Sequence, residues 1–316
     1  MATLNRSFIQ NKPKNLFSSI LLHFSRIIVG AVFIFSGFVK AIDPLGSTYK
    51  IEEYLTSFGG FFANFIPLAF LAGIALSTIE LVMGLNLLFS FKLKFSAWIT
   101  LLFMLFYTPL TFYIWQTNPV TDCGCFGDAL VISNLATFLK NVVLLALVII
   151  ILITLKGRKS LFLPRIEWVA VTLFVCIGVG LSLYTYNHLP FIDFRPYKVG
   201  VNIAQAMELP EDAVMDIYET SFIYEKDGVQ QEFTLENYPA GDSTWAFVDQ
   251  KTKLIQKGDV PKIHDFSVIN EDGDDITSDV LEYEGYTYFL IMYDLNKTST
   301  KGIARAAKVY EKYRNT

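Results

Sequence analysis

Five long apolar runs fill most of the first 190 residues, and they constrain the fold more than any other feature of the chain. They cover, roughly, residues 16–42, 66–90, 95–115, 132–155 and 166–187. A helix needs about 20 apolar residues to cross the hydrocarbon core of a bilayer, and every run reaches that length. In lipid, only helices and closed barrels satisfy all of their backbone polar groups. The sequence therefore predicts an α-helical membrane bundle in contact with the lipid bilayer.

The composition changes at about residue 196. From there to the end of the sequence there are 22 Asp and Glu residues but only 12 Lys and Arg residues. An acidic exposed domain repels phosphate, so nucleic acid is not expected as a partner. The sequence predicts four parts, namely an N-terminal tail (1–15), a four-helix membrane domain (16–155), a loop with a fifth helix (156–190) and an acidic soluble domain (191–316).

Lysine and arginine are concentrated in alternate connections between the runs. These residues are Lys12, Lys14, Lys92, Lys94, Lys156, Arg158, Lys159 and Arg165. Connections rich in Lys and Arg stay in the cytoplasm. The loops 43–65 and 116–131 and the acidic domain are therefore expected on the periplasmic side of a bacterial inner membrane, and the N-terminus in the cytoplasm. Within the first of these loops, the apolar spacing of residues 48–58 predicts an amphipathic helix lying along the interface.

Among the charged residues inside the apolar runs are Arg26, Lys40, Glu80 and Lys140. An unpaired charge in hydrocarbon is costly, so such residues are functional candidates. Counting 1.5 Å per residue from the outer ends of the first two runs puts Arg26 and Glu80 at a similar depth, which predicts an ion pair. This pair would be either a structural clamp or part of proton or substrate coupling. Lys40 and Lys140 lie nearer the outer ends and are expected to anchor their helices by reaching the interface.

Two of the three cysteines lie in the outer loop that runs from Asp122 to Asp128, in the order Asp-Cys-Gly-Cys-Phe-Gly-Asp. A tight turn at Gly124 would bring Cys123 and Cys125 within the α-carbon separation that a disulfide requires. A bridge closing so short a loop in an oxidising compartment would be strained and suited to thiol–disulfide exchange. A nearby lysine, Lys40 or Lys140 in the sequence, would favour a thiolate there. The alternative is a permanent staple.

The other metal-ligating side chains form no site in the sequence. Two thiolates supply only half of a zinc site, and His23, His188 and His264 have no metal-ligand spacing. No metal is therefore predicted. Cys176 lies alone in the fifth run and is expected to serve packing.

Several of these features together resemble the DoxX and MauE membrane protein superfamily. They are the stretch from Arg26 to Lys40, Glu80 in the second run, and the Cys-Gly-Cys-Phe-Gly loop before the fourth run. The resemblance covers about residues 20–155 and implies a four-helix membrane unit. It also implies that Cys123 and Cys125 form a redox pair, because MauE-type proteins are associated with disulfide formation or maturation of an exported enzyme. DoxX relatives are associated with quinone-linked or thiosulfate redox systems.

The acidic domain is predicted to be an α/β domain. Residues 215–236 read as a hairpin around Asp227-Gly228, and Trp245 to Val248 as a further strand. A second hairpin at Asp272-Gly273, a buried strand over 286–293 and a helix over 300–313 look like part of a thioredoxin-like fold. The Cys-x-x-Cys of that family is missing, since no cysteine follows Cys176. A binding or docking role is therefore expected for this domain.

Three functions compete at this stage. In the first, the protein exchanges thiol and disulfide electrons with, or matures, an exported partner through Cys123 and Cys125. In the second it is a non-catalytic scaffold or assembly factor whose periplasmic domain binds a partner protein. In the third, Arg26 and Glu80 belong to a small-solute or proton pathway, although no inverted repeat is evident. Whether the protein is an enzyme stays open. No cofactor motif is evident, and a quinone stays open as electron acceptor.

Overall fold

The structure is a computed structural model. It describes residues 16–120, 122–155, 162–209, 212–239, 241–242, 244–256, 258–285, 287–292 and 298–313. The basic residues Lys12, Lys14, Lys156, Arg158 and Lys159 lie outside the described residues, as does the tail 1–15. The chain divides into two compact units, the first ending at Arg195 and the second beginning at Pro196.

Five helices of the first unit are long and apolar enough to cross a membrane, as the sequence predicts. They are α1 (Leu16–Ile42), α3 (Ala69–Phe89), α4 (Leu93–Thr117), α5 (Asn134–Leu155) and α6 (Pro164–Asn187). A 3₁₀ segment, Gly60–Leu68, leads into α3 and extends that span outward. The protein is thus a multi-pass membrane protein whose exposed apolar side chains contact lipid.

A shorter helix, α2 (Pro44–Phe58), follows α1 directly and confirms the helix predicted over 48–58. Its start is encoded locally, because Pro44 suits the first helical turn and the Asp43 side chain accepts a hydrogen bond from the backbone N–H of Gly46 at 3.0 Å. It ends at Phe58, and the next residue, Gly59, has a positive φ of 60° that favours glycine.

Helices α1 and α3 are antiparallel neighbours with an unusually close backbone approach. A Cβ atom on Gly37 would lie 2.4 Å from the backbone nitrogen of Leu81 and 2.7 Å from the carbonyl oxygen of Ser77. Small residues allow membrane helices to approach in this way. The apolar core of the bundle lies between α1, α3, α4 and α5, and consists of Leu22, Val29, Phe33, Met83, Leu87, Ala97, Met104, Leu144, Val148, Ile151 and Leu155.

Helix α6 packs mainly on α3 and α1 through small and polar side chains. Ser182 Oγ lies 3.5 Å from Ser77 Oγ, and Thr185 Oγ1 donates to the carbonyl of Ala41 at 2.9 Å. Gly178 leaves room for Thr78. Cys176 is exposed on this helix, so the prediction that it serves packing is wrong.

The second unit contains a three-stranded antiparallel sheet in the order β2-β1-β3. Its strands are β1 (Ile217–Lys226), β2 (Val229–Thr234) and β3 (Ala246–Gln256). Asp227 and Gly228 have φ of 53° and 80°, which suits the tight turn of a hairpin and confirms the one predicted there. The helices of this unit are α7 (Ile203–Met207), α8 (Thr277–Leu281) and α9 (Thr300–Tyr313), the last of which was predicted over 300–313.

The sequence prediction for the rest of this unit is only partly met. Ile269 and Asp275 form an isolated bridge where a second hairpin is predicted. Residues 287–292 form no strand, so the predicted buried strand over 286–293 is wrong for the residues described there. Their apolar run indicates a buried strand, but Leu290 and Ile291 are exposed, and none of the described strands pairs with them. The resemblance to a thioredoxin-like fold stays a prediction.

Candidate functional site

The loop between α4 and α5 brings the two cysteines together. The Asp122 side chain accepts a hydrogen bond from the backbone N–H of Gly124 at 2.7 Å, and Gly124 has a φ of 64° that favours glycine. This turn places the Sγ atoms of Cys123 and Cys125 2.8 Å apart. The two sulfur atoms are not bonded to each other in the structure.

Helix α2 covers the loop from outside the membrane span. Tyr54 donates its hydroxyl hydrogen to the carbonyl of Cys123 at 2.8 Å. Lys50 Nζ lies 3.3 Å from Asp122 Oδ2 and 2.7 Å from Glu53 Oε2. Its aliphatic chain crosses the turn so closely that a Cβ atom on Gly124 would lie 2.7 Å from Lys50 Cγ. Glycine is therefore required at position 124 both for its backbone conformation and for this contact.

Helices α1 and α3 hold the loop from inside the bundle. Lys40 Nζ donates to both carboxylate oxygens of Glu80, at 2.7 and 2.8 Å, and the two residues are 8% and 3% exposed. Ser36 Oγ lies 2.7 Å from Glu80 Oε2 and also 2.7 Å from the carbonyl oxygen of Cys125. The buried ion pair is thus connected to the cysteine loop through one hydroxyl group.

The ion pair predicted between Arg26 and Glu80 is wrong. Arg26 instead donates to the hydroxyl of Ser90, while Glu80 pairs with Lys40. Equal depths for Arg26 and Glu80 require that the outer ends of the first two apolar runs are level. Gly37 of α1 meets Leu81 of α3, however, and the first turns of α3 lie beside α2. Glu80 therefore lies near the outer end of α1. Because Lys40 is buried and paired, its predicted role as an interfacial anchor is also wrong.

Lys140 of α5 approaches the same loop from another side. Its Nζ lies 4.3 Å from the centroid of the Phe126 ring, a cation–π contact. Phe126 is buried and packs against Phe35, with ring centroids 5.3 Å apart. Lys140 is half-buried. The structure therefore brings together Cys123, Cys125, Lys40, Glu80 and Lys140, and leaves Arg26 at the opposite end of α1.

The two thiols differ in acidity because of these neighbours. The hydrogen bond from Cys123 and the positive charges of Lys140 and Lys40 lower the pKa of Cys125 to about 6, against the opposing effect of burial. The same hydrogen bond and burial raise the pKa of the Cys123 thiol well above its usual range. Of the two thiols, Cys125 therefore ionises more readily.

A cavity of about 200 Å³ opens onto the cysteine pair. It lies between α2, the cysteine loop and residues 190–195, and is lined by both thiols, apolar side chains and charged groups. Asp128 lines it with a raised pKa, caused by burial and then by Asp43 and Asp122. The volume is below the roughly 300 Å³ at which drug-sized ligand pockets begin. It suits a single side chain or a small ring, not a folded surface.

A second, smaller cavity of about 30 Å³ lies beneath Cys125. Polar groups of four helices and of the cysteine loop line it: Ser36, Lys40, Glu80, Tyr107, Cys125, Lys140 and Asn141. A cavity of this size and polarity has room for a water molecule, which needs about 10–15 Å³. The sequence reasoning missed Ser36, Lys50, Tyr54 and Tyr107, since single hydroxyl and amine side chains carry no distinctive spacing.

Comparison with known proteins gives two partial matches. Residues 18–154 match the family model of methylamine utilisation protein MauE. Residues 218–257, which include most of the three-stranded sheet, match a domain of unknown function, DUF8463. No curated protein and no solved structure matches the chain. The first match spans α1 to α5 and therefore includes the cysteine loop, Lys40, Glu80 and Lys140.

Proposed function

We propose that the protein exchanges thiol and disulfide electrons with an exported partner protein through Cys123 and Cys125. The observation that carries this proposal is the pair of adjacent thiols, with Sγ atoms 2.8 Å apart, in a loop that a cavity makes accessible. The match of residues 18–154 to the MauE family supports a membrane-associated accessory role. The methylamine substrate in that family's name is not part of the proposal.

The exchange balances without a further cofactor. The thiolate of one cysteine attacks a disulfide of the partner and forms a mixed disulfide, and the second cysteine then attacks that bond. The Cys123–Cys125 disulfide forms, the partner's disulfide becomes two thiols, and two electrons pass to the partner. The reverse sequence oxidises a partner dithiol. Regeneration by a quinone stays an open part of the proposal.

The location of the site also belongs to the proposal. We place the cysteine loop and the unit from Pro196 onward on the periplasmic side of a bacterial inner membrane, because the alternate connections of the sequence are basic. The acidic second unit would recruit the partner. A relationship to DoxX and a thioredoxin-like fold of the second unit are parts of this proposal that rest on resemblance alone.

A non-catalytic scaffold is the second candidate, and one observation favours it. The cysteine loop is held from both sides, by Tyr54 and Lys50 above and by Ser36 below, as expected of a static staple. No cysteine follows Cys176 in the sequence, so the second unit cannot take over exchange chemistry.

A redox titration separates the two candidates. The Cys176→Ser variant would be equilibrated in membranes with graded thiol redox buffers and then labelled with a bulky maleimide. We expect both cysteines to resist the maleimide in oxidising buffers and to react with it in reducing buffers. The change should be reversible and should fit a single two-electron couple. A pair that stays oxidised under strong reductant, or always reacts as two free thiols, would establish the scaffold.

A trapping experiment tests the partner's part in the exchange. Single Cys123→Ser and Cys125→Ser variants cannot complete the second step, so each retained cysteine should accumulate as a mixed disulfide with an exported protein. The double variant is the matched control and should trap nothing. If neither single variant traps a protein but the titration still shows a reversible pair, the exchange substrate would be a small thiol instead of a protein.

A further inference from the structure

Beneath the cysteine loop there are more lysines than carboxylates. Two lysines, Lys40 and Lys140, reach the loop from α1 and α5, but α3 supplies one carboxylate, Glu80. Lys40 takes both oxygens of that carboxylate, at 2.7 and 2.8 Å. Burial makes an uncompensated charge costly. The site therefore needs one more negative charge, and it needs it near Lys140.

Lys140 has no carboxylate within ion-pair distance among the described residues. Its contact is with the ring of Phe126, which follows Cys125 directly. The ring contact fixes the ammonium group next to the cysteine loop. It does not neutralise that group.

The polar groups beneath the loop are Ser36 and Lys40 of α1, Glu80 of α3, Tyr107 of α4, Lys140 and Asn141 of α5, and Cys125. The larger cavity, which both thiols line, adds Lys50 and Tyr54 of α2, the carboxyl groups of Asp43, Asp122, Asp128 and Asp193, and Arg195, but none of these lines the cavity that holds Lys140. Among the described residues that line the cavity with Lys140, those that can become anions besides Glu80 are Cys125 and Tyr107. A thiol ordinarily ionises near pH 8.5 and a tyrosine near pH 10. Cys125 lines this cavity together with Lys140 and Cys123 does not, so Cys125 is the sulfur best placed to hold the charge.

We propose that Lys140 is the positioning residue that holds Cys125 as a thiolate, so that the reduced site is a neutral cluster of two cations and two anions. This inference rests on the proposed exchange function and assigns separate duties to the two lysines. Lys40 is committed to Glu80 and holds the loop, whereas Lys140 serves the reacting sulfur.

The charge changes when the pair reacts. The thiol of Cys123 and the thiolate of Cys125 become a disulfide, two electrons pass to the partner's disulfide, and that disulfide takes up the Cys123 proton and one from water to become two thiols. Oxidation therefore removes the Cys125 thiolate, the anion that balances Lys140. Because Lys140 stabilises the reduced form, the cysteine pair is a more oxidising couple with Lys140 than without it.

The pH dependence of Cys125 alkylation tests this assignment without any partner. In a Cys123→Ser, Cys176→Ser background, the rate of iodoacetamide reaction would be followed from pH 5 to pH 10. Lys140→Gln should raise the pH at which the alkylation rate is half-maximal toward that of an ordinary thiol. It should also slow the reaction at pH 7 by about tenfold. Lys140→Arg keeps a cation that cannot lose its proton and should stay within about twofold of the parent. Lys94→Gln removes an exposed lysine elsewhere and is the matched control.

The redox potential gives a second readout in the intact pair. A tenfold loss of thiolate stabilisation corresponds to 29.6 mV for a two-electron couple, so Lys140→Gln should make the pair more reducing by about 30 mV. If Lys140→Gln fails to fold, Lys140→Met, which fills the same space with an apolar chain, takes its place.

The inference is overturned if the neutral variants keep the parent's midpoint, or if Lys140→Arg shifts it as far as Lys140→Gln does. Either result is distinct from failure of the proposed function. That failure would appear as the absence of a reversible disulfide in the redox titration, whatever the alkylation profile shows.

Discussion

Glu80 is the single residue on which the polar contacts of the site converge. It accepts two hydrogen bonds from Lys40 and lies 2.7 Å from the hydroxyl of Ser36, which also reaches the Cys125 carbonyl. Glu80→Gln would leave Lys40 buried without its countercharge. Removing one partner of a buried pair typically costs about 3–5 kcal/mol. We expect a lower apparent melting temperature in detergent and faster maleimide labelling of the cysteine loop.

A double variant provides the control for that result. Lys40→Met with Glu80→Leu removes both charges and fills the site with apolar groups, a replacement that is often neutral for stability. Stability should then return toward that of the parent. Labelling should stay fast, because the Ser36 hydroxyl has lost both Lys40 and Glu80, which hold it in place beneath the loop. A Glu80→Gln protein as stable as the parent would show that the pair carries little of the fold's stability.

For single residues, the sequence identifies the charged candidates for the site more reliably than it predicts which of them form ion pairs. Intramembrane charge identifies Lys40, Glu80 and Lys140 from one sequence, because hydrocarbon penalises charge so strongly. Partner choice depends on how far one helix is shifted along another, and the lengths of apolar runs do not fix that shift. The pairing of Glu80 with Lys40 instead of Arg26 follows from α3 extending outward beside α2.

The element that fixes this shift is the contact between α1 and α3. A Cβ atom on Gly37 would lie 2.4 Å from a backbone nitrogen and 2.7 Å from a carbonyl oxygen of α3, so neither neighbour can rotate away. Gly37→Ala should force the helices apart and cost about 1–3 kcal/mol, as overpacking does. It should also loosen the Lys40–Glu80 pair. Thermal stability in detergent and loop labelling measure the two effects.

Gly180 of α6 is the matched control for that substitution. No atom lies within 4 Å of the position a Cβ would take there, so Gly180→Ala should keep the parent's stability or gain up to about 1 kcal/mol of helix preference. Equal behaviour of the two variants would mean that α1 and α3 can separate freely, and that Gly37 does not set their register.

The elements themselves are largely predictable in the membrane unit. Apolar run length gives the five spans to within a few residues, because the bilayer dictates both length and helical form. The second unit is harder, since an apolar stretch such as 287–292 indicates a strand only if a partner strand is present. Periodicity alone cannot supply that partner, and the structure assigns these residues none.

At the scale of the whole molecule, the two units differ in how their chains are stabilised. The membrane unit has a contiguous apolar core between four helices, whereas Ile263 is the one buried apolar residue among those described after Pro196. An acidic unit with so small a core depends on turns, hairpin pairing and solvation. This contrast agrees with the change of composition near residue 196, where the sequence places the boundary between a membrane part and a water-exposed part.

The crossing pattern of the five spans leads to a prediction about which parts share a compartment. Three spans separate Lys94 from Lys301, and two separate the cysteine loop from Lys301. If all five helices cross, Lys301 lies on the side of the cysteine loop and Lys94 on the other side. Basic connections predict that the shared side is the outer one. We expect a membrane-impermeant maleimide to label Lys301→Cys, in a background without native cysteines, on intact cells.

Lys94→Cys is the counterpart in the same background and should react only after the membrane is permeabilised. Both positions are exposed, so a failure to react reflects the membrane and not burial. Labelling of both from outside would mean that one of the helices between them does not cross. Reversed labelling would keep the five crossings and invert the orientation, which would put the reduced thiols of Cys123 and Cys125 in the cytoplasm and remove exported proteins as their exchange partners.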